Sequence, residues 1–193
     1  LHYSQQLETK VMIIHPGEYY VTAEDIAIST VLGSCVAVAL HDPTLRIGGM
    51  NHFMLPGAIR SKQVFAEESA RYGLYAMEVL INELMKAGSD RRNLVAKVFG
   101  AGHVLHGSTN SSIPDSNAEF ATVFLETERI PIATADLGGN QARKLFFFPA
   151  THRVLVKRFG GPTVASVEKE EKTYLYEIRT RNRKRDQDVT VFR

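Results

Sequence analysis

Apolar residues fall in short runs along most of the chain. Residues 11–15, 19–22, 26–32, 36–40 and 47–54 are apolar or β-branched and are separated by Pro16-Gly17, Gly33 and Asp42-Pro43. Short β-branched runs bounded by turn residues predict strands. Asp42-Pro43-Thr44-Leu45 predicts a type I turn, because aspartate suits its first position and proline its second. It would join 36–40 to a returning strand at 47–54, in which Gly48-Gly49 marks a weakness or a bulge. Residues 67–87 change period: Ala70, Leu74, Met77, Leu80, Ile81, Leu84 and Met85 are spaced as one face of a helix, with Gly88 as its cap. A strand at 95–99 then runs into Gly100-Ala101-Gly102. A helix is expected at 117–129, and strands at 130–135, 144–148 and 153–157.

This order of elements predicts a mixed α/β (α+β-like) fold with helices packed on a mixed sheet. Residues 1–10 are polar and are expected to be loose. After Gly160-Gly161-Pro162 the chain becomes rich in charge and poor in core residues. The expected organisation is therefore a domain over 11–162 followed by a charged extension over 163–193.

Composition narrows the function classes. Hydrophobic residues make up 44% and charged residues 23%, as in ordinary globular proteins. The formal charge of +2 gives no general preference for nucleic acid. Arg179–Arg185 carries five basic residues, but Glu168, Glu170, Glu171, Glu177, Asp186 and Asp188 interleave with them, so a solvated tail or an extended strand pair is the expectation, with no nucleic-acid partner. One cysteine allows no internal disulfide and suits a reducing compartment. No apolar run reaches the roughly 18–20 residues that span a bilayer, and no secretion leader opens the chain. Leu1 stands where a methionine would start a chain, so a trimmed start is expected. The expectation is a cytoplasmic protein without membrane insertion.

The candidate chemistry lies in the predicted hairpin. Cys35 stands as far before the centre of the turn, between Pro43 and Thr44, as His52 stands after it. Opposite residues of a regular hairpin have Cβ atoms ~4.5–5.5 Å apart, close enough for a thiol and an imidazole to meet, unless a bulge shifts the register. An imidazole can take a thiol's proton and later give it to a leaving amine. Gly33 allows a sharp turn, and backbone N–H groups around Ser34 and Cys35 could then face a developing oxyanion. Taken alone, a lone cysteine and a lone histidine in such strands are more often a small buried hydrophobe and a structural histidine. His103-x-x-His106 offers two potential metal ligands, but no acid or cysteine accompanies them locally, whereas zinc takes three or four; a polar loop is expected.

The stretch Leu32-Gly33-Ser34-Cys35-Val36-Ala37-Val38, followed by Gly48-Gly49-Met50-Asn51-His52-Phe53-Met54-Leu55-Pro56, closely resembles the CheD family of bacterial chemoreceptor glutamine deamidases. Lys97-Val98-Phe99-Gly100-Ala101-Gly102 and Asp136-Leu137-Gly138-Gly139-Asn140 with Arg143-Lys144 and Phe146-Phe147-Phe148 extend the likeness over roughly residues 11–159. The resemblance implies a β-sandwich-like sheet arrangement flanked by helices, Cys35 as nucleophile and His52 as catalytic histidine. It also implies a hydroxyl residue six positions before the cysteine, which is Ser29 here, with Thr30 beside it; strand parity favours Ser29. It further implies no metal or organic cofactor, chemoreceptor cytoplasmic domains as substrate, and a CheC-type phosphatase or response regulator as partner. Pro114 stands where the family usually has glycine, and Asn117 matches its asparagine. A catalytically weak adaptor and a receptor methylesterase are the alternatives, since a thiol–imidazole pair alone does not separate amides from esters.

Overall fold

The computed structural model describes residues 1–104 and 112–187, with 182–187 described by backbone alone. Among the described residues, ten strands and three α-helices run in the order β1 (His2–Ser4), β2 (Thr9–Ile13), β3 (Tyr19–Thr22), β4 (Ala27–Leu32), β5 (Val36–Asp42), β6 (Ile47–Asn51), α1 (Ala70–Lys86), β7 (Val95–Gly100), α2 (Ser112–Thr127), β8 (Ile132–Leu137), β9 (Ala142–Phe148), β10 (Arg153–Phe159) and α3 (Val164–Gln187).

The strands form two mixed five-stranded sheets, ordered β1-β2-β4-β9-β10 and β3-β6-β5-β7-β8. Residue parity explains how they pack. Cys35, Ala37 and Ala39, with Met50 and Met54, meet Ile28, Leu32, Leu145 and Phe147 of the other sheet. The opposite parity, Val36, Val38 and Leu40, packs under Met77, Leu80, Ile81 and Leu84 of α1 and Phe120 and Phe124 of α2. The molecule is thus a sandwich of two sheets with α1 and α2 covering one outer face. Strand β5 is buried on both sides, which is why it is a continuous apolar run. Burying each large side chain in these layers stabilises the fold by roughly 1.5–3 kcal/mol.

The hairpin forms with its axis displaced. Asp42 Oδ1 accepts hydrogen bonds from the Thr44 and Leu45 N–H groups at 2.9 and 3.2 Å, and Arg46 takes a left-handed φ of 56°. Asp42 therefore pairs with Ile47, and Ala39 with Met50, so the centre lies one residue later than expected. Gly48 and Gly49 pair regularly with His41 and Leu40 and form no bulge. Glycine at 49 answers a packing need: an added Cβ would lie 2.6 Å from Val21 Cγ2 and 2.9 Å from Leu80 Cδ1.

Two expectations fail at the ends of the chain. Residues 1–10 are not simply loose, since β1 pairs with β2 through the contacts His2↔Val11, Tyr3↔Lys10 and Ser4↔Thr9. Of the charged C-terminal segment, residues 164–187 are neither a tail nor a strand pair, and residues 188–193 lie outside the described residues. Residues 164–187 are α3, with Val164, Val167, Glu171 and Ile178 buried along one face. Among the described residues, no helix is long and apolar enough to cross a membrane.

Candidate functional site

The site assembles where β4 leaves one sheet and β5 enters the other. Gly33 and Ser34 make that crossing, and Cys35 follows directly. The loop after β7 clamps the turn: Ala101 N–H donates to the Cys35 carbonyl and Gly102 N–H to the Gly33 carbonyl, both at 2.7 Å. Asn117 of α2 braces it from the other side. Its Nδ2 donates to the Ser34 carbonyl at 2.8 Å while its Oδ1 accepts from the Leu55 N–H at 2.8 Å. Pro114 lies in the first turn of α2, where no intrahelical N–H is needed, so the helix tolerates it.

The shifted register places Cys35 opposite Met54 in the strand count, so Cys35 and His52 are diagonal neighbours instead of opposite ones. The displacement is even, and parity is kept: both side chains point into the space between the sheets. Cys35 Sγ, a His52 ring nitrogen and a carboxylate oxygen of Glu171 lie within 4.8 Å of one another. All three residues are buried.

Thr30, not Ser29, meets the imidazole. Thr30 Oγ1 lies 2.7 Å from His52 Nδ1 and donates its single proton to the Ile14 carbonyl at 2.8 Å. Its oxygen must therefore accept from Nδ1–H, which leaves Nε2 as the bare nitrogen. Nε2 is buried and makes no hydrogen bond. The parity argument for Ser29 failed because the chain changes sheets at Gly33-Ser34; counting offsets along one strand has no meaning across that crossing.

Backbone donors at Gly33, Ser34 and Cys35 converge on one point, and an acceptor already occupies it. The N–H groups of Gly33, Ser34 and Cys35 donate to the Glu171 carboxylate at 2.9, 2.9 and 3.0 Å, and Ser34 Oγ donates to it at 2.6 Å. Such a nest of successive N–H groups is built for an anion. Sequence reading missed Glu171. The available signal was its place within Val164, Val167, Leu175 and Ile178, an apolar stripe at helical spacing interrupted by one acid.

The electrostatics follow from burial. Burial pushes the Cys35 thiol well above its ordinary value, and the Glu171 carboxylate adds to this by charge and by hydrogen bonding. Burial, and secondarily the charge of His15, pulls His52 from 6.5 down to about 3. The pair is therefore a neutral thiol beside a neutral imidazole. An unfolded chain protonates His52 below pH 6.5 and the folded chain does not, so stability is full above that pH and is lost as pH falls toward 3. Urea melts at pH 7 and pH 4 are expected to differ by about 3 kcal/mol from this group, with a smaller difference in His52→Asn.

Cys35, His52 and Glu171 are also the donor set nearest to a metal site among the described residues. Both Glu171 oxygens are engaged by four donors and His52 Nδ1 by Thr30, so the carboxylate's role here is that of a hydrogen-bond acceptor. His103 Nε2 instead meets Asp115 Oδ1 at 3.0 Å, and His106 lies outside the described residues. The Asp136–Arg143 stretch is structural: the Arg143 guanidinium donates to the Asp136 and Gly138 carbonyls, and His103 N–H donates to the Gly139 carbonyl at 2.7 Å, holding the loops beside the nest.

The family profile described as CheD chemotactic sensory transduction matches residues 54–158. A "probable chemoreceptor glutamine deamidase CheD" of Shewanella oneidensis is 45% identical over 99% of this chain and 92% of its own. One from Thiobacillus denitrificans is 46% identical over 93% and 89%, and one from Burkholderia thailandensis is 49% identical over 87% and 73%. The profile begins two residues after His52, whereas the Shewanella match spans nearly the whole chain and so takes in both the hairpin and α3.

Proposed function

The chain belongs to the CheD family, and from that premise we propose that it deamidates glutamine side chains of chemoreceptors, with Cys35 as nucleophile, His52 as base and Thr30 holding the imidazole. His52 Nε2 takes the Cys35 proton. The thiolate attacks the carboxamide carbon, and the Gly33, Ser34 and Cys35 N–H groups receive the oxyanion. The imidazolium protonates the departing ammonia, leaving a thioester. Water, deprotonated by Nε2, then adds to the thioester, the C–S bond breaks and the thiol regains its proton. The net change is glutamine plus water to glutamate plus ammonia, and no step calls on a cofactor.

The observation that carries this reading is the bare Nε2 of a Thr30-fixed imidazole, in a site where thiol, ring nitrogen and converging N–H donors meet. Receptors offer their glutamines on cytoplasmic domains, and the protein acts there, with a CheC-type phosphatase or a response regulator as the regulatory partner. The test is the intact mass of a receptor cytoplasmic fragment incubated with the protein. A gain of about one mass unit per site (NH₂ replaced by OH) is expected with wild type and none with Cys35→Ala. Equal masses from the two proteins would remove the proposal, and methanol release from a methylated receptor would point to an esterase instead.

A further inference from the structure

Helix α3 is placed differently from the rest of the fold. It belongs to neither sheet and lies across the mouth of the site. The apolar part of its inner face consists of Val164, Val167 and Ile178, with Tyr174 and Leu175 half-buried. Side-chain links between the helix and the rest of the fold secure it: Tyr72 Oη donates to the Ile178 carbonyl at 3.1 Å, Arg179 Nε of the helix donates to the Pro56 carbonyl at 2.7 Å, and exposed His15 pairs with Glu170 at 2.7 Å. Clefts flank it on both sides. One is lined by His15, Pro16 and Lys169, and the other by Val31, Lys144 and Lys157.

The centre of that inner face is Glu171, 1% exposed. A helix that only packed would carry an apolar residue there, because a buried carboxylate is costly unless it is fully paired. Glu171 is paired, by the same three N–H groups that the reaction needs for its oxyanion. While it sits there, no substrate carbonyl oxygen can enter and Cys35 is 0% exposed. The occupant is also chemically specific. It is a glutamate side chain, presented by a helix, with its carboxylate in the donor nest and beside Sγ and the imidazole.

We propose that α3 is a resident product mimic: the trench it fills is the docking surface for a substrate helix, and Glu171 occupies the seat of the glutamate that deamidation leaves behind. The protein as folded is closed, and it opens when a receptor helix displaces α3. This inference rests on the deamidase reading and adds to it an intrinsic brake.

The proposal makes an unusual demand on one variant. In full-length Glu171→Gln, the introduced carboxamide would lie where a substrate's does. Cys35 Sγ would attack its carbon, ammonia would leave with the thiol's proton carried by His52, and water would release glutamate. Intact-mass spectrometry of Glu171→Gln is expected to show a gain of about one mass unit with time at residue 171, restoring the wild-type residue. The double variant Glu171→Gln with Cys35→Ala is expected to keep its mass. In full-length Glu171→Ala with a folded circular-dichroism spectrum, alkylation of Cys35 by iodoacetamide is expected to quicken about tenfold or more, and receptor-fragment deamidation with it, because the closed state has lost its charge-assisted hydrogen bonds. Faster alkylation in the alanine variant, or conversion of the introduced glutamine to glutamate, supports the proposal. A Glu171→Gln protein that keeps its mass, together with alkylation no faster in Glu171→Ala than in wild type, overturns it. The two readings separate cleanly: faster alkylation without receptor deamidation by any variant keeps the brake and removes the deamidase, and receptor deamidation with neither change at residue 171 does the reverse.

Discussion

Replacing His52 by alanine is expected to lower receptor deamidation by about 10²–10⁴-fold, the range of positioned acid–base catalysis. Adding Cys35→Ala should lower it little further, since members of one nucleophile–base unit act together. The bare Nε2 is the only ring nitrogen of His52 free to accept the thiol proton, because Nδ1 is committed to Thr30. Thr30→Val keeps the shape of the side chain and removes the acceptor for Nδ1–H. The imidazole then loses the bond that selects its tautomer, and kcat is expected to fall at least about tenfold with KM little changed, because Thr30 acts through His52 and not on substrate. Ser29→Ala is the control. Ser29 lies on the neighbouring parity of β4 and does not reach the imidazole, so a loss equal to that of Thr30→Val would contradict the assignment. Steady-state ammonia release from a receptor fragment measures all of these.

Gly100→Ala is expected to be the most damaging substitution outside the reacting groups. Gly100 has φ 121°, a conformation L side chains rarely adopt, and an added Cβ would lie 2.1 Å from the Cys35 carbonyl oxygen and 3.0 Å from Val36 Cα. Both obstacles are backbone, so no side-chain rotation relieves them. The chain must move either β7 or the nucleophile turn, and the Ala101-to-Cys35 hydrogen bond goes with it. The expected cost is about 3 kcal/mol or more, read as a lower denaturant midpoint, together with loss of deamidation in whatever folded protein remains. A variant with wild-type stability and activity would mean that the clamp on Cys35 is not required.

The brake also bears on the pH dependence of the thiol. In the closed protein, burial and Glu171 both hold Cys35 protonated. A receptor helix that displaces Glu171 removes the nearest negative charge as it delivers the amide. Activation of the thiol and arrival of substrate are thus one event, and Cys35 should be inert toward alkylating agents until that moment.

Much of this protein is readable without coordinates. Period-two and unbroken apolar runs marked most of the strands, helical spacing from Ala70 to Leu84 marked α1, and Asp42-Pro43 marked the hairpin turn. These are local properties, set by side-chain periodicity and turn chemistry within a few residues. The residues around Cys35 and His52 carried the family resemblance, and both side chains share a face of the hairpin because an even register shift preserves parity. What only the tertiary structure decided lies at places where the chain leaves a single element. Ser29 and Thr30 could not be separated by counting, since the crossing at Gly33-Ser34 turns Cys35 into a different sheet. The turn centre moved by one residue, and the pairing therefore by two, because Asp42 caps Thr44 and Leu45. The charged C-terminal segment looked solvated because its balance of charges hid a narrow inner stripe, and a lone glutamate in that stripe acquires meaning only when a distant turn offers three N–H groups to receive it. Composition and periodicity are summed along the chain, whereas the partner of Glu171 lies more than a hundred residues away, and that contact is set by packing.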